Sequence, residues 1–152
     1  MKYLLIIILC IAVFICGCKN ENVLSEPTTN QNQLINLNTL SVYQNDNEYQ
    51  VVITRDGKVV GEVVFLETRE FQSVHGLSLV KRGDHEQYLG KLFIDVEQQL
   101  GPVHTDIGSG FYVPAYITED AYLICFTLDD TSVHDIKVYD LLRPKTGDGS
   151  LS

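Results

Sequence analysis

Basic side chains are scarce in this sequence: eleven Lys and Arg stand against twenty Asp and Glu, a formal net charge of −9 at neutral pH. That shortage excludes the clustered Lys and Arg with which proteins grip nucleic-acid phosphates. It also excludes electrostatic docking of the folded part on anionic lipid. Cysteine nearly vanishes after residue 18, where Cys125 stands alone, so no disulfide can form within that stretch. Metal-ligand spacing is missing as well. His75, His85, His104 and His134 form neither a helical i, i+4 pair nor a Cys-partnered set, and Asp129-Asp130-Thr131-Ser132 lacks the spacing and glycine of a calcium loop. Neither metal nor cofactor is expected.

What is present begins with Lys2, an unbroken apolar run from Leu4 to Ile15, and then Cys16-Gly17-Cys18. A helix over Tyr3 to Gly17 would span roughly 22 Å, short of the ~30 Å hydrocarbon core, which favours a cleaved signal over a permanent span. The tetrapeptide Ile15-Cys16-Gly17-Cys18 resembles the lipobox of bacterial lipoproteins. Cys18 is the expected lipidation site because it follows the small Gly17, whereas Cys16 follows bulky Ile15 and Cys10 lies deep in the run. Residues 1–17 are then the signal peptide. The mature chain would hang by acyl chains on Cys18 from the extracytoplasmic face of the cell membrane, with no intramolecular disulfide left to it.

Residues 18–33 are the lipidated cysteine and a polar tether, since KNENVLSEPTTNQNQ carries too little apolar surface to offset chain entropy. Residues 34–142 form one predicted domain, and 143–152 a loop-like tail. In the domain, Tyr49 to Arg55 and Lys58 to Glu67 are β-branched runs around Asp56-Gly57, the dipeptide of a type I′ hairpin. Leu34 to Tyr43 and Phe71 to Val80 read as further strands. Tyr112 to Ile117, Ala121 to Leu128 and Val133 to Leu142 read as an antiparallel meander. Between the groups, Leu89, Phe93, Val96 and Leu100 recur at helical spacing and Gly101-Pro102 ends the helix, with a short turn from Asp84 preceding it. The expected class is α+β, one main helix packed on an antiparallel sheet with the hairpin before it and the meander after.

The segment from Gly90 through Val96 to Leu100-Gly101 resembles the glycine, helix, valine, leucine-glycine signature of BamE-type (SmpA/OmlA) lipoproteins and the β-lactamase-inhibitor-protein-like superfamily. Its continuation, His104-Thr-Asp106-Ile-Gly108-Ser109-Gly110 followed by Pro114-Ala-Tyr116, is similar to a Pro-His-x-Asp-x-Gly-Ser-Gly module of uncharacterised Firmicutes extracytoplasmic lipoproteins. The resemblance covers roughly residues 88 to 140 and implies a helix on an antiparallel sheet with a binding or assembly role. Two positions depart from it: Leu92 stands where a polar helix cap is usual, and Pro102 directly follows Gly101.

His104, Asp106 and Ser109 have the composition of a hydrolase triad, but Gly-Ser-Gly lacks the strand, elbow and helix that present a nucleophile. A turn explains them better: Asp106 accepts from amides two or three residues on, and Gly108 and Gly110 take backbone angles that other residues resist. A turn of this kind can also contact a ligand, so His104, Asp106, Gly108, Ser109 and Gly110 are contact candidates, joined by Tyr112 and Tyr116 as amphipathic residues suited to an interface. Arg82-Gly83-Asp84 reads as a turn with Asp84 capping the next segment, and Cys125 in Leu123-Ile124-Cys125-Phe126 as an inert buried thiol with no basic neighbour. The expected function is non-catalytic: a lipid-anchored module binding an unidentified envelope protein or component. The alternatives are an inhibitor or immunity-like lipoprotein blocking a partner, or an envelope hydrolase with a dispersed site.

Overall fold

The computed structural model describes residues 32–37, as backbone, and 40–143. The expected signal peptide, the expected lipidation site Cys18, most of the expected tether and residues 144–152 lie outside the described residues. The described chain is mostly β. Five strands come first: β1 (Asn32–Leu37), β2 (Leu40–Asn45), β3 (Glu48–Arg55), β4 (Lys58–Leu66) and β5 (Phe71–His75). They form one antiparallel sheet in sequence order. A 3-10 turn (His85–Tyr88) and helix α1 (Phe93–Leu100) come next, and then β6 (Thr105–Asp106), β7 (Pro114–Ile117), β8 (Tyr122–Asp129) and β9 (Ser132–Asp140) build a second sheet, again in sequence order.

Strict alternation organises the first sheet. Leu40 faces Ile53, Val42 faces Val51, Val51 faces Val63 and Tyr49 faces Phe65 across neighbouring strands. All of these side chains are buried. On the opposite face Gln50 Nε2 donates to Glu62 Oε1 at 3.0 Å. The β3–β4 reversal is the predicted hairpin, with φ of 51° at Asp56 and 72° at Gly57, the two positive angles a type I′ turn requires.

The second sheet has both faces covered. Ala115, Ile117, Leu123 and Cys125 pack against the inner face of the first sheet, together with Leu141 and Leu142. Tyr116, Ile124 and Phe126, of the opposite parity, pack against Tyr88, Phe93 and Val96. Each such burial stabilises the fold by roughly 1.5–3 kcal/mol for a large apolar side chain. The layers are therefore sheet, sheet, and one short helix with its 3-10 turn.

This corrects the expected α+β class with a single sheet beneath the helix. The early hairpin and the late meander belong to different sheets that face each other, and the helix covers only the outer side of the second. The predicted strand over Leu34 to Tyr43 is two strands, β1 and β2, paired antiparallel with Leu37 opposite Leu40. The strand predicted from Phe71 to Val80 ends at His75, and Val80 keeps one parallel bridge to Thr118. β1 begins at Asn32, within the last two residues assigned to the tether.

The helix face holds at Phe93 and Val96, both buried, but Leu89 lies outside the helix and is 48% exposed. No side chain caps α1 at Leu92. Instead the Phe93 amide donates to the Thr131 carbonyl at 2.8 Å, the Gly90 amide donates to the Val133 carbonyl, and the Val133 amide donates to the Lys91 carbonyl. The β8–β9 turn thus does for the helix start what a polar cap would do. Asp84 precedes the 3-10 turn without making a side-chain cap bond, so its predicted capping role is not realised. Among the described residues no helix is long and apolar enough to cross a membrane.

Candidate functional site

The loop joining α1 to β7 carries most of the predicted contact residues, and its two ends behave differently. His104 is 6% exposed. Its Nδ1 accepts from the Ile117 amide at 2.9 Å, so the ring proton sits on Nε2 and is donated to the Ser78 carbonyl at 3.0 Å. Burial pushes its pKa below the ordinary histidine value, against a smaller opposing effect of the Ser78 carbonyl. A neutral imidazole with both nitrogens engaged bolts the loop to β7 and has no lone pair left to activate a nucleophile.

Asp106 Oδ1 accepts from the amides of Gly108 and Val113, each at 2.9 Å, so the predicted Asx-turn forms and is extended across the loop's mouth. Gly108 is required for a reason other than the predicted one. Its φ is not in the left-handed range; a Cβ there would lie 1.5 Å from the Phe111 carbonyl oxygen. Gly110 does adopt a positive φ, 89°. Tyr116, predicted as a contact residue, is fully buried: its ring packs on His104 with centroids 5.2 Å apart, and its hydroxyl donates to the Gly101 carbonyl at 3.0 Å. His104, Asp106, Gly108 and Tyr116 therefore form a frame.

Beyond the frame the chain turns outward. Ser109 and Gly110 are exposed, Phe111 is 83% exposed and Tyr112 is 52% exposed. The Tyr112 ring meets Phe93 edge-on, with centroids 6.2 Å apart at 85°. Between them and the β8–β9 turn runs a groove of about 510 Å³ whose lining includes Leu92, Ile94, Tyr112 and Leu128, with Glu97 and Asp130 as its charged groups. Burial and the neighbouring carboxylates of Glu97 and Asp106 raise the Tyr112 pKa, so its hydroxyl stays protonated.

Phe111, Leu92 and Ile94 were not among the sequence candidates. For Ile94 a signal was available, because once Phe93 and Val96 point inward the residue after Phe93 must face water; Leu92 precedes the helix in extended backbone and Phe111 lies in a loop, so no helical spacing points to either. A second exposed apolar set, Val59, Val60, Phe71 and Val74, lies on β4 and β5.

Of the other chemistry-bearing groups, the buried Nδ1 of His85 has no hydrogen-bond partner. Cys125 is a free, buried thiol. Burial pushes its pKa up to about 12, and Lys137, opposite it in register and missed as a basic neighbour, only partly opposes the rise. Arg82 pairs with Asp120 at 3.2 Å and lies over the Tyr122 ring, where Arg69, bound to Asp140 at 2.6 Å, also lies. A cavity of about 400 Å³ beside His104 is lined by Arg55, Leu77, Ser78 and Val103. Among the described residues, no three His, Cys, Asp or Glu side chains converge in a metal-sized cluster. No known protein family, curated protein or solved structure matches this chain.

Proposed function

We propose that this protein is a non-catalytic binding module, anchored by lipid on Cys18 at the extracytoplasmic face of the membrane, which takes a protein partner at the groove lined by Tyr112, with the exposed Phe111 next to Tyr112 in the chain as a further contact. The observation that carries the docking surface is the 83% exposure of Phe111 on a loop whose base is held by His104 and Asp106. Aromatic side chains held out on a fixed frame supply contact area without the entropy cost of ordering a loose loop. Burying one against a partner contributes roughly 1.5–3 kcal/mol. Engagement of both His104 nitrogens disfavours a hydrolase that would use His104 as its base.

Two measurements test the reading. Replacing Phe111 and Tyr112 together by Ser should sharply reduce the partner recovered by crosslinking in native membranes while leaving the melting temperature in place. Undiminished recovery would remove the groove from the account. For the anchor, Cys18→Ser should abolish incorporation of labelled fatty acid, and retained labelling would reassign the lipid.

A further inference from the structure

The groove has a charge as well as a shape. Among the residues that line it, Glu97 and Asp130 are ionisable acids and none is a cation. Asp106 is a third carboxylate, within electrostatic reach of the Tyr112 hydroxyl like Glu97. Two cations lie nearby. Lys91, one residue before Leu92, turns its ammonium onto the Tyr88 ring 5.3 Å away, and Arg55 exerts the weakest of the influences on Tyr112. The rim of an otherwise apolar slot is thus acidic, on a chain that is itself strongly acidic.

Resting on the proposal that this groove is a docking site, we propose that its occupant is a cationic amphipathic segment of another protein: aromatic or aliphatic anchors flanked by Lys or Arg. The anchors fill the space between Leu92, Ile94 and Tyr112, and the flanking cations meet Glu97 and Asp130. Such pairing speeds encounter and selects the partner more than it adds to affinity, whereas the apolar anchors supply most of the binding energy. Two other occupants are disfavoured by the same charges. An anionic lipid surface would be repelled by the rim carboxylates. A second copy docked by two-fold symmetry through this groove would set the same acidic patch against itself.

The test uses full-length protein in detergent micelles, with empty micelles as background, and fluorescence anisotropy of three synthetic peptides about twelve residues long, sized to one groove. The first carries Phe and Leu anchors flanked by Lys. The second keeps the anchors with Glu flanks, and the third keeps the Lys and replaces the anchors by Ser. The first should bind at least about tenfold more tightly than either of the others, and should weaken as salt is raised to about 0.5 M. The pair Glu97→Gln and Asp130→Asn should weaken it by about fivefold or more, with an unchanged melting temperature.

Equal binding of the Glu-flanked peptide, or indifference of the first peptide to the Glu97 and Asp130 variants, would overturn the charge inference. In that case loss of both anchored peptides on Ile94→Ser with Tyr112→Ser would leave the groove standing. If no peptide binds, or if binding survives that apolar pair of substitutions, the groove itself falls and the inference with it. Self-association that Tyr112→Ser abolishes, seen by sedimentation at rising protein concentration, would replace the cationic partner with a second copy.

Discussion

One stretch of nine residues, His104 to Tyr112, contains two regions of opposite character. Its first half faces in: His104 is bonded at both nitrogens, Asp106 closes the turn on two amides, and Gly108 yields the space taken by the Phe111 carbonyl. Its second half faces out, and ends on two aromatic side chains at least half exposed. The polar residues that look chemical are structural, and the apolar residues that look structural form the available surface. A histidine, an aspartate and a serine within six residues are therefore weak evidence of a site until their partners are known.

The contrast can be broken from the frame side first, where effects are largest. Gly108→Val should destabilise the fold by about 3 kcal/mol or more in urea unfolding, because a side chain cannot coexist with the Phe111 carbonyl without moving the backbone. A loss below about 1 kcal/mol would mean that the loop is not held as described.

Next comes His104→Gln, which should cost about 1–3 kcal/mol by leaving the Ile117 amide or the Ser78 carbonyl without its partner. The wild type carries a pH signature that this variant should lack. The folded pKa lies below the unfolded value of 6.5. The unfolded chain therefore binds the proton first, so the contribution of His104 is fully present above pH 6.5 and is lost as pH falls from there through the folded pKa. Stability curves of equal slope in this window for wild type and His104→Gln would contradict the neutral, doubly bonded ring.

Asp106→Ala should be milder, about 1–2 kcal/mol, since the two freed amides lie near solvent and water can replace part of what they lose. Smallest of all are the outward substitutions. Ser109→Ala should stay within about 0.5 kcal/mol of wild type in the same unfolding measurement, and Tyr112→Ser, which gives up the edge contact with Phe93, within about 1 kcal/mol. A Tyr112→Ser loss as large as that of His104→Gln would erase the distinction between frame and rim.

The chain was legible in sequence where local chemistry decides the outcome. Asp56-Gly57 announced its hairpin, Phe93 and Val96 their helix face, and Asp106 its turn. What escaped was which surface covers which. Alternation in Val51, Ile53 and Val63 shows that one face is buried but does not say whether a helix or a second sheet lies over it. Leu123-Ile124-Cys125-Phe126 held the missing clue, because apolar residues at both parities of a strand mean two covered faces. Tyr116 and Tyr112 are the same residue type four positions apart, one fully buried and the other half exposed. Composition could nominate both and orient neither. The Arg69, Tyr122 and Arg82 stack joins segments too distant in sequence for any spacing rule to pair.

The central claim is that the outward half of this loop is where a partner sits. A photoreactive phenylalanine analogue placed at position 111, compared with the same group at Val59 on the other exposed apolar set, tests it most directly in native membranes. The account predicts one discrete crosslinked species from position 111, several-fold stronger than from position 59. Equal yields from the two positions, or a product from position 59 alone, would contradict it.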